Sequence, residues 1–248
     1  MVYAAKYNEM YRKQLKKAEH AMYKTEPHLH TRPVSFCAYY PPEEMIEYHS
    51  KQGYDTVFVS DHFAINHFAR LGEISWSEKI RILFDSYLRA KKRGEELGMN
   101  VLFSPELTLC GNHFLLYNVD LDFLNSRDDF FYMSLEEFHA YAQENGVLMI
   151  QAHPLRDGKC TPKPDCVIGF EVINTNPRHN NFDKDMLETA RKHPSLLRTV
   201  GSDAHCIDDV GRSAVLSPYE IKTVPQYLEL LRSGEAKFMV NGEIVSLE

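Results

Sequence analysis

Histidines and acidic residues recur at the ends of short apolar runs in this sequence. In chain order the segments read Glu-Pro-His-Leu-His-Thr (26–31), Val-Ser-Asp-His (59–62), Pro-Glu (105–106), Asn-His (112–113), Gln-Ala-His-Pro (151–154) and Gly-Ser-Asp-Ala-His (201–205). Such groups are costly to bury beside strands unless each one is paired, and a cluster of metal ions would pair with all of them. The pattern therefore predicts a metal site, and metal-assisted hydrolysis is the chemistry that it favours.

Two pairs of candidate ligands share a spacing of two residues. His28 and His30 flank one residue of an extended segment, so both side chains point to the same face. Asp203 and His205 repeat this spacing after another apolar run, and Glu106 also follows such a run. A lone His-x-His match is equally compatible with a hydrogen-bonded pair of histidines. Imidazole and carboxylate ligands together suit Zn²⁺, Mn²⁺ or Fe, and the absence of cysteine pairs argues against a structural zinc site.

Strand-like runs alternate with amphipathic segments along the chain. The predicted strands cover residues 56–60, 101–104, 114–117, 147–151, 169–173 and 197–201. The predicted helices cover residues 42–52, 76–97, 134–144, 181–192 and 224–232. This alternation is typical of a parallel sheet, either open or closed into a barrel. Because almost every candidate ligand follows a predicted strand, we expect a barrel whose site lies at the C-terminal rim of the strands.

The chain is expected to form a single domain over residues 1–248. It contains no internal repeat, low-complexity tract or Gly/Ser linker, and its length is usual for an undivided α/β barrel. Apolar residues near the N-terminus recur at helical spacing, at Tyr3, Tyr7, Met10, Tyr11 and Leu15. We therefore predict an N-terminal helix within residues 1–24 that packs on the barrel.

Composition and charge restrict the classes of partner. The net charge of −7 disfavours a broad nucleic-acid-binding surface. No apolar run is long enough to cross a bilayer, the N-terminus lacks a secretory signal, and the five cysteines have no regular spacing. We expect a cytoplasmic protein with a small-molecule substrate and no membrane partner. The sequence leaves the oligomeric state open.

The ordered motifs resemble the PHP (polymerase and histidinol phosphatase) superfamily. The match runs from about Glu26 to His205, in the order His-x-His-Thr, Asp-His, Glu, His, His-Pro and Ser-Asp-Ala-His. The resemblance implies a distorted (β/α)7 TIM-like barrel that holds two or three divalent metal ions, with Zn, Mn and Fe as candidates. It also implies hydrolysis of a small phosphate ester, and histidinol phosphate is one candidate substrate.

The resemblance also implies a role for each candidate ligand. It assigns the first metal to His28, His30, Glu106 and Asp203, the second to His113 and His153 with Glu106 as a bridge, and the third to His62 and His205. Glu106 and Asp203 are therefore the expected catalytic carboxylates. Glu26 stands where the family usually has Asp, in an outer position that orients ligands. Several family members have a further third-metal ligand after His-x-His-Thr, where residues 34–38 offer only Cys37; Asp61 is the alternative.

Substrate-binding and proton-donating residues are less well marked. Arg178, just beyond a predicted strand, is the first candidate for holding phosphate oxygens, ahead of Arg156 and Arg212. His179 and His67 lie in predicted loops, and either is a candidate general acid for the leaving group. For each of these residues, an ordinary loop or surface position is the competing interpretation.

Three other functions are compatible with the same residues. An amidohydrolase-like enzyme would use the centre on an amide or lactone and would not cleave phosphate esters. A 3′-end nuclease would bind DNA or RNA with a steep salt dependence, which the acidic net charge disfavours. A non-catalytic metal-binding domain would serve a partner protein, although a decayed site should have lost several of these ligands.

Overall fold

Residues 22–248 are described by a computed structural model of the chain. The predicted N-terminal helix falls almost wholly outside the described residues, and Tyr23 and Lys24, at the end of its expected range, belong to the first strand. In the described part of the chain, no helix combines the length and apolar character that a membrane crossing demands. All five cysteines lie in this part, and each is a free thiol.

The chain from residue 22 onward forms a mixed α/β fold. Its strands are β1 (Tyr23–Leu29), β2 (Thr56–Val59), β3 (His62–Phe63), β4 (Asn100–Phe103), β5 (Glu106–Leu109), β6 (Asn112–Tyr117), β7 (Leu148–Ala152), β8 (Gly169–Asn174), β9 (Leu197–Gly201), β10 (Ser213–Ser217), β11 (Lys237–Val240) and β12 (Glu243–Val245). Its helices are α1 (Pro42–Lys51), α2 (Ile65–Ala69), α3 (Trp76–Leu97), α4 (Leu121–Asn125), α5 (Leu135–Glu144), α6 (Asp183–Arg191) and α7 (Val224–Ser233).

The strands form two six-stranded sheets. The first has the order β12-β11-β10-β1-β2-β4 and the second β3-β5-β6-β7-β8-β9. Pairing is parallel from β1 through β2 to β4, from β7 through β8 to β9, and between β3 and β5. The other neighbouring strands are antiparallel. Both sheets are therefore mixed, and the expectation of a parallel sheet is wrong for these antiparallel pairs.

A tight hairpin accounts for the antiparallel centre of the second sheet. β5 and β6 are joined by Cys110 and Gly111, whose φ angles are 49° and 72°. Positive φ at both positions suits a two-residue turn between antiparallel strands, whereas a parallel pair needs a long crossover. Residues 106–109 lie between the predicted strands 101–104 and 114–117, so β5 was not predicted.

All five helices predicted between residues 42 and 232 are present, with ends within two residues of the expected positions. α3 begins at a capping box in which Ser75 and Glu78 satisfy each other's backbone N–H groups, and it ends at Gly98 with φ 73°. Ser134 and Glu137 form the same capping box at the start of α5. α2 and α4 were not predicted because five residues are too few to give a periodic pattern.

An aromatic cluster anchors the short strand β3. Phe63 is fully buried, and its ring centroid lies 5.8 Å from that of Trp76 and 4.9 Å from that of Phe131. Phe68 packs against the same side of the core, 5.4 Å from Phe63. Because Phe63 is fixed in this way, the adjacent His62 has a defined position at the start of β3.

The two sheets meet where β2 leads into β3 and β4 leads into β5, and backbone hydrogen bonds keep these two segments paired. Ser104 N donates to Val59 O (3.1 Å) at the end of the first sheet, and Glu106 N donates to Asp61 O (3.2 Å) at the start of the second. The chain therefore passes from one sheet to the other with its strands still paired. This junction carries Asp61 and Glu106 to the same place.

A second junction connects the end of β1 with the segment after β9. His30 N donates to Ala204 O (2.9 Å), and Ala204 N donates to His28 O (3.2 Å). Leu29 and Ala204 form a parallel bridge at this point. The His-x-His segment and residues 203–205 are thereby held side by side.

Candidate metal centre

Glu106 lies at the middle of a group of imidazoles. Its side chain is buried, with Oε1 3.0 Å from His153 Nε2, 3.3 Å from His113 Nδ1 and 3.4 Å from His28 Nε2. Its other oxygen, Oε2, is 2.7 Å from His62 Nδ1. One carboxylate therefore contacts histidines from four separate segments of the chain.

Asp203 forms the other acidic part of the centre. Its Oδ1 lies 3.0 Å from His30 Nε2 and 3.4 Å from His28 Nε2. Asp203 has φ 51° and His153 has φ 31°, left-handed backbone conformations that are costly for residues other than glycine. Strained backbone at two predicted ligands is typical of a functional site rather than of ordinary core packing.

Hydrogen bonds to Nδ1 orient three of the histidines. His28 Nδ1 is 2.9 Å from Glu171 Oε1, His30 Nδ1 is 3.2 Å from Ser35 Oγ, and His205 Nδ1 donates to the carbonyl of Asp203 at 2.8 Å. With Nδ1 engaged, each ring presents Nε2 as its free donor atom, the arrangement common for histidines that bind metals. The Nε2 atoms of His28 and His30 are only 3.0 Å apart, which confirms that both side chains point to the same face.

Several buried polar atoms at the centre have no hydrogen-bond partner. They are Glu106 Oε2, Asp203 Oδ1, His62 Nδ1 and His153 Nδ1. His62 Nδ1 and Glu106 Oε2 are only 2.7 Å apart but do not meet the geometry of a hydrogen bond. Unpaired buried groups are rare because they are costly. Imidazoles and carboxylates that converge and still leave several of these atoms unbonded fit a site for divalent ions.

The same convergence appears in sets of three possible ligands. Four of these sets are His28, His30 and Glu106; His28, His153 and Asp203; His62, Glu106 and His113; and His30, His62 and His205. In each set, one ligand atom per residue lies within 4.8 Å of the others. The eight residues that the sequence analysis assigned to three metals are thus brought together in one region.

The two carboxylates are held in their ionised form. Burial alone would raise the pKa of Glu106, yet the nearby His113 and His62 keep it well below its usual range. Burial would likewise raise the pKa of Asp203, and Arg156 and His28 lower it strongly. Burial lowers the pKa of His30, and His62 lowers it further, so this imidazole stays neutral. Metal ligands require ionised carboxylates and neutral imidazoles, and Glu106, Asp203 and His30 are in these states. Despite burial, Glu171 raises the pKa of His28 well above its usual range, and Glu106 raises the pKa of His62 to about 10, so both imidazoles would release a proton on binding an ion.

Asp61, one of the predicted metal ligands, is already fully hydrogen-bonded. Its Oδ1 accepts from Thr31 N (2.6 Å) and from the Ser35 hydroxyl (2.7 Å). Its Oδ2 accepts from the hydroxyls of Thr31 (2.7 Å) and Ser86 (2.8 Å). Asp61 therefore belongs to none of the sets of converging ligand atoms among the described residues, and its predicted role as a ligand has no support from the geometry. Its role here is to fix the turn that follows His30.

Two buried glutamates accept hydrogen bonds from the proposed ligands or from the backbone next to them. Glu171, in the middle of β8, also accepts from His153 N at 2.9 Å. Glu171 was not predicted as part of the site, because its only signal in the sequence is a carboxylate within the largely apolar strand β8. Glu26 accepts from His28 N (3.0 Å) and Ser202 N (3.1 Å), which agrees with its predicted outer position. Burial raises the pKa of Glu26 to about 8.

A cavity of about 660 Å³ opens beside the centre and is lined by Arg156, Arg178, His113 and His179, among others. Arg156 is mostly buried and donates to Asp203 Oδ2 at 2.5 Å. Arg178 forms a two-pronged pair with Asp209, at 3.0 and 2.8 Å, and is more exposed. The ranking expected from the sequence is therefore reversed, because Arg156 lies closer to the ligands than Arg178 does.

The loop residues proposed for substrate contact fall in different places. His179 lies at the cavity wall with its Nδ1 2.9 Å from Asp157 Oδ2. His67 also lines the cavity, but burial and the neighbouring His62 lower its pKa to about 4, which disfavours it as a general acid. Arg212 donates to the carbonyl of Asp208 at 3.0 Å and lines a different cavity.

Comparison with known proteins gives similarity in structure only. No protein-family model matches the sequence, and no curated protein matches it. The chain is similar to a two-domain protein from Bacteroides vulgatus ATCC 8482 that contains a predicted PHP-like metal-dependent phosphoesterase, with 14% identity and a TM-score of 0.64 over 91% of this chain and 67% of that chain.

Two further solved structures share the architecture. One is a lesion-specific endonuclease from Pyrococcus furiosus (14% identity, TM-score 0.54, 86% of this chain and 56% of that chain). The other is an amidohydrolase from Chromobacterium violaceum (14% identity, TM-score 0.53, 86% of this chain and 96% of that chain). At these identities the similarity concerns the fold. The chain therefore shares the fold of these structures, and its family stays a proposal.

Proposed function

We propose that this protein is a metal-dependent phosphoesterase of the PHP superfamily that cleaves a small phosphate ester. The observation that carries the proposal is the group of unpaired buried atoms on Glu106, Asp203 and His62, beside an arginine-lined cavity. A phosphoryl group fits both parts, because its oxygens suit divalent ions and its charge suits the guanidinium of Arg156.

The proposed ligands are those that the resemblance implies, without Asp61. His28, His30, Glu106 and Asp203 would hold the first ion, Glu106, His113 and His153 the second, and His62 and His205 the third. Imidazole and carboxylate donors accept Zn²⁺, Mn²⁺ or Fe, so the identity of the ions stays open. A cytoplasmic location likewise stays a prediction from the sequence.

Bound ions would supply an acidified water and neutralise charge on the phosphoryl group. Arg156 would hold a phosphate oxygen while its contact with Asp203 keeps that carboxylate ionised. Arg178, oriented by Asp209, would add positive charge at the cavity wall. His179 would protonate the leaving oxygen through Nε2, because its Nδ1 is engaged by Asp157.

We also infer that the two sheets close around the centre as a distorted barrel within one domain over residues 1–248. Two features support this inference: the hydrogen bonds that keep the segment from β2 to β3 paired with the segment from β4 to β5, and the bridge between Leu29 and Ala204. In such a barrel the strand ends that bear the ligands would meet at one rim, where barrel enzymes have their active sites.

Nucleic acid and carbonyl substrates are the competing candidates. The fold similarity to an endonuclease favours the first, and the similarity to an amidohydrolase favours the second. The net charge of −7 argues against extended contact with a nucleic-acid backbone. A nucleic-acid substrate would therefore be expected to enter the cavity by its end.

The direct test is phosphate release from a panel of phosphomonoesters, comparing chelator-stripped protein with the same protein restored by Mn²⁺ or Zn²⁺. We expect release that depends on the added ion. Parallel assays with amides, lactones and 3′-ended oligonucleotides cover the alternatives. Absence of phosphate release from protein that binds metal would contradict the proposal, and activity in a parallel assay would identify which alternative replaces it.

A further inference from the structure

A thiol lies at the cavity wall next to the histidines. Cys37 Sγ is 3.2 Å from His62 Nε2, and it is also within hydrogen-bonding reach of His205. Ligand atoms of Cys37, His62 and His67 all lie within 4.8 Å of one another. His62 faces Glu106 with Nδ1 and Cys37 with Nε2, so the thiol is on the side of this ring away from the carboxylate.

The second imidazole of this group is oriented by the backbone. His67 Nδ1 lies 3.2 Å from the carbonyl oxygen of Val34, to which it can donate. When Nδ1 donates this hydrogen bond, Nε2 carries no proton and its lone pair is free to bind a metal ion. The rings of His62 and His67 are 4.2 Å apart between centroids, and both line the cavity together with Cys37. A sulfur and two imidazoles therefore face the same space.

We propose that Cys37, His62 and His67 hold a metal ion through a thiolate at the cavity wall. This inference rests on the proposed function and deepens it, because the ion would be the third ion of that proposal and Cys37 would be its ligand from residues 34–38. Thiolate and imidazole donors favour Zn²⁺, Co²⁺ or Fe²⁺ over Mn²⁺ and Mg²⁺. On binding, the Cys37 thiol loses its proton to solvent and the sulfur bonds to the ion. The site would select Zn²⁺, Co²⁺ or Fe²⁺, and the bound ion would add positive charge beside the substrate.

The experiment is a Co²⁺ titration of the reduced, chelator-stripped full chain, followed by the near-ultraviolet absorption that arises when a thiolate binds Co²⁺. We expect this band in the unmodified protein and in Cys110→Ser, which removes an exposed thiol elsewhere. The band should be absent in Cys37→Ser. In His67→Gln, the affinity for Co²⁺, measured from the growth of the band, should fall at least tenfold. Mn²⁺ binding should be unchanged in Cys37→Ser. Co²⁺ binding without the band, or a band that survives Cys37→Ser, would overturn the proposal.

A variant of the central carboxylate separates this site from the rest of the centre. Glu106→Gln should lose ions bound near Glu106 while it keeps the thiolate band. Loss of the band in that variant would overturn the claim that the Cys37 site is distinct. Neither readout requires phosphate release. Failure of the phosphatase assay would therefore leave this test intact, and failure of this test would leave the phosphoesterase proposal intact.

Discussion

Glu106 lies within 3.4 Å of four imidazoles, yet one of its two carboxylate oxygens has no hydrogen-bond partner. A network of ion pairs would leave its oxygens and the neighbouring ring nitrogens bonded to one another. Instead, Glu106 Oε2 and His62 Nδ1 lie 2.7 Å apart without hydrogen-bond geometry, and Asp203 Oδ1 is also unpaired. At the scale of single residues, these unpaired atoms are what distinguishes a metal centre from a buried salt-bridge network.

Arg156 is predicted to act on the substrate rather than on metal binding. Arg156→Gln should lower kcat/KM by about 100-fold, because a fixed guanidinium beside a phosphoryl group stabilises charge in the transition state. Metal content should stay unchanged, because Asp203 faces the histidines with Oδ1 and contacts Arg156 with Oδ2. Steady-state kinetics and metal analysis of the same samples would check both parts.

Arg212→Gln is the matched control, because Arg212 lines a different cavity and donates a hydrogen bond to the backbone carbonyl of Asp208. The kcat/KM of this variant should differ from that of the wild type by less than twofold. Unchanged turnover in Arg156→Gln would exclude the proposed contact. Loss of metal together with activity would make Arg156 a positioning residue for Asp203.

The predictability of the site ends where partners come from distant segments. Motif order was enough to assign the candidate ligands. It could not reveal that the guanidinium of Arg178 is already paired with Asp209, or that four hydrogen bonds occupy Asp61. It also missed Glu171, which carries no motif of its own and becomes recognisable only when β8 lies beside β1 residues such as His28.

At the scale of elements, close packing of β1, β8 and β9 fixes the ligand geometry. A Cβ added at Gly201, the last residue of β9, would lie 2.8 Å from His28 Cβ and would collide with Glu171 Oε1. Gly201 therefore has no side chain because the orienting carboxylate of His28 occupies that space.

Gly201→Ala is predicted to weaken metal binding by about 10- to 100-fold, because displacement of Glu171 removes the group that orients His28. Competitive chelator titration would measure the loss, and circular dichroism would establish that the variant is folded. Wild-type affinity in a folded Gly201→Ala variant would show that Glu171 does not position His28.

His49 on α1 predicts a pH effect away from the centre. It is fully buried, and burial lowers its pKa to about 4 even though Nδ1 donates to the carbonyl of Met45 at 2.8 Å. The unfolded chain, with a pKa of about 6.5, takes up this proton first as the pH falls. Folding therefore loses stability between about pH 6.5 and 4, by roughly 2 to 3 kcal/mol for this group.

His49→Leu should remove that component. The free energy of unfolding of both proteins can be measured in urea at pH 7 and pH 4.5. Between these pH values, the wild type should lose more stability than His49→Leu does. His139→Gln, on α5, is the control and should follow the wild-type profile. Parallel profiles for wild type and His49→Leu would contradict the buried neutral state of His49.

Elements with strong local signals were predictable, and those defined by distant pairing were not. The capping boxes of α3 and α5 mark their starts in the sequence. β3 has only two residues, so no alternation can mark it. β10 pairs with β1, which lies far from it in the sequence, and links β1 to β11 in the first sheet. Such strands are specified by their partners rather than by their own sequence.

At the scale of the whole molecule, the centre lies where the two sheets are joined. Its candidate ligands come from segments spread between His28 and His205, so bound ions would cross-link most of the described chain. Metal binding should therefore stabilise the fold as a whole and not only the cavity. Ions present at about 1,000 times their Kd would add on the order of 4 kcal/mol to the free energy of unfolding.

Thermal unfolding tests this coupling. Chelator-stripped protein should have a lower Tm than metal-loaded protein, and re-addition of Zn²⁺ or Mn²⁺ should restore it. The shift in Tm should be much smaller in Asp203→Asn, because this change weakens the carboxylate that would hold the first ion together with His28 and His30. Equal Tm values for stripped and loaded wild-type protein would contradict a structural coupling of the ions to both sheets.

The most direct test of the central claim is the metal content of Glu106→Ala measured together with its turnover. Asp128→Ala, at an exposed acidic residue, is the control. The account predicts two or three ions per chain in the wild type and the control, and loss of both metal and activity in folded Glu106→Ala. Full metal content and wild-type turnover in Glu106→Ala would contradict the assignment of the centre.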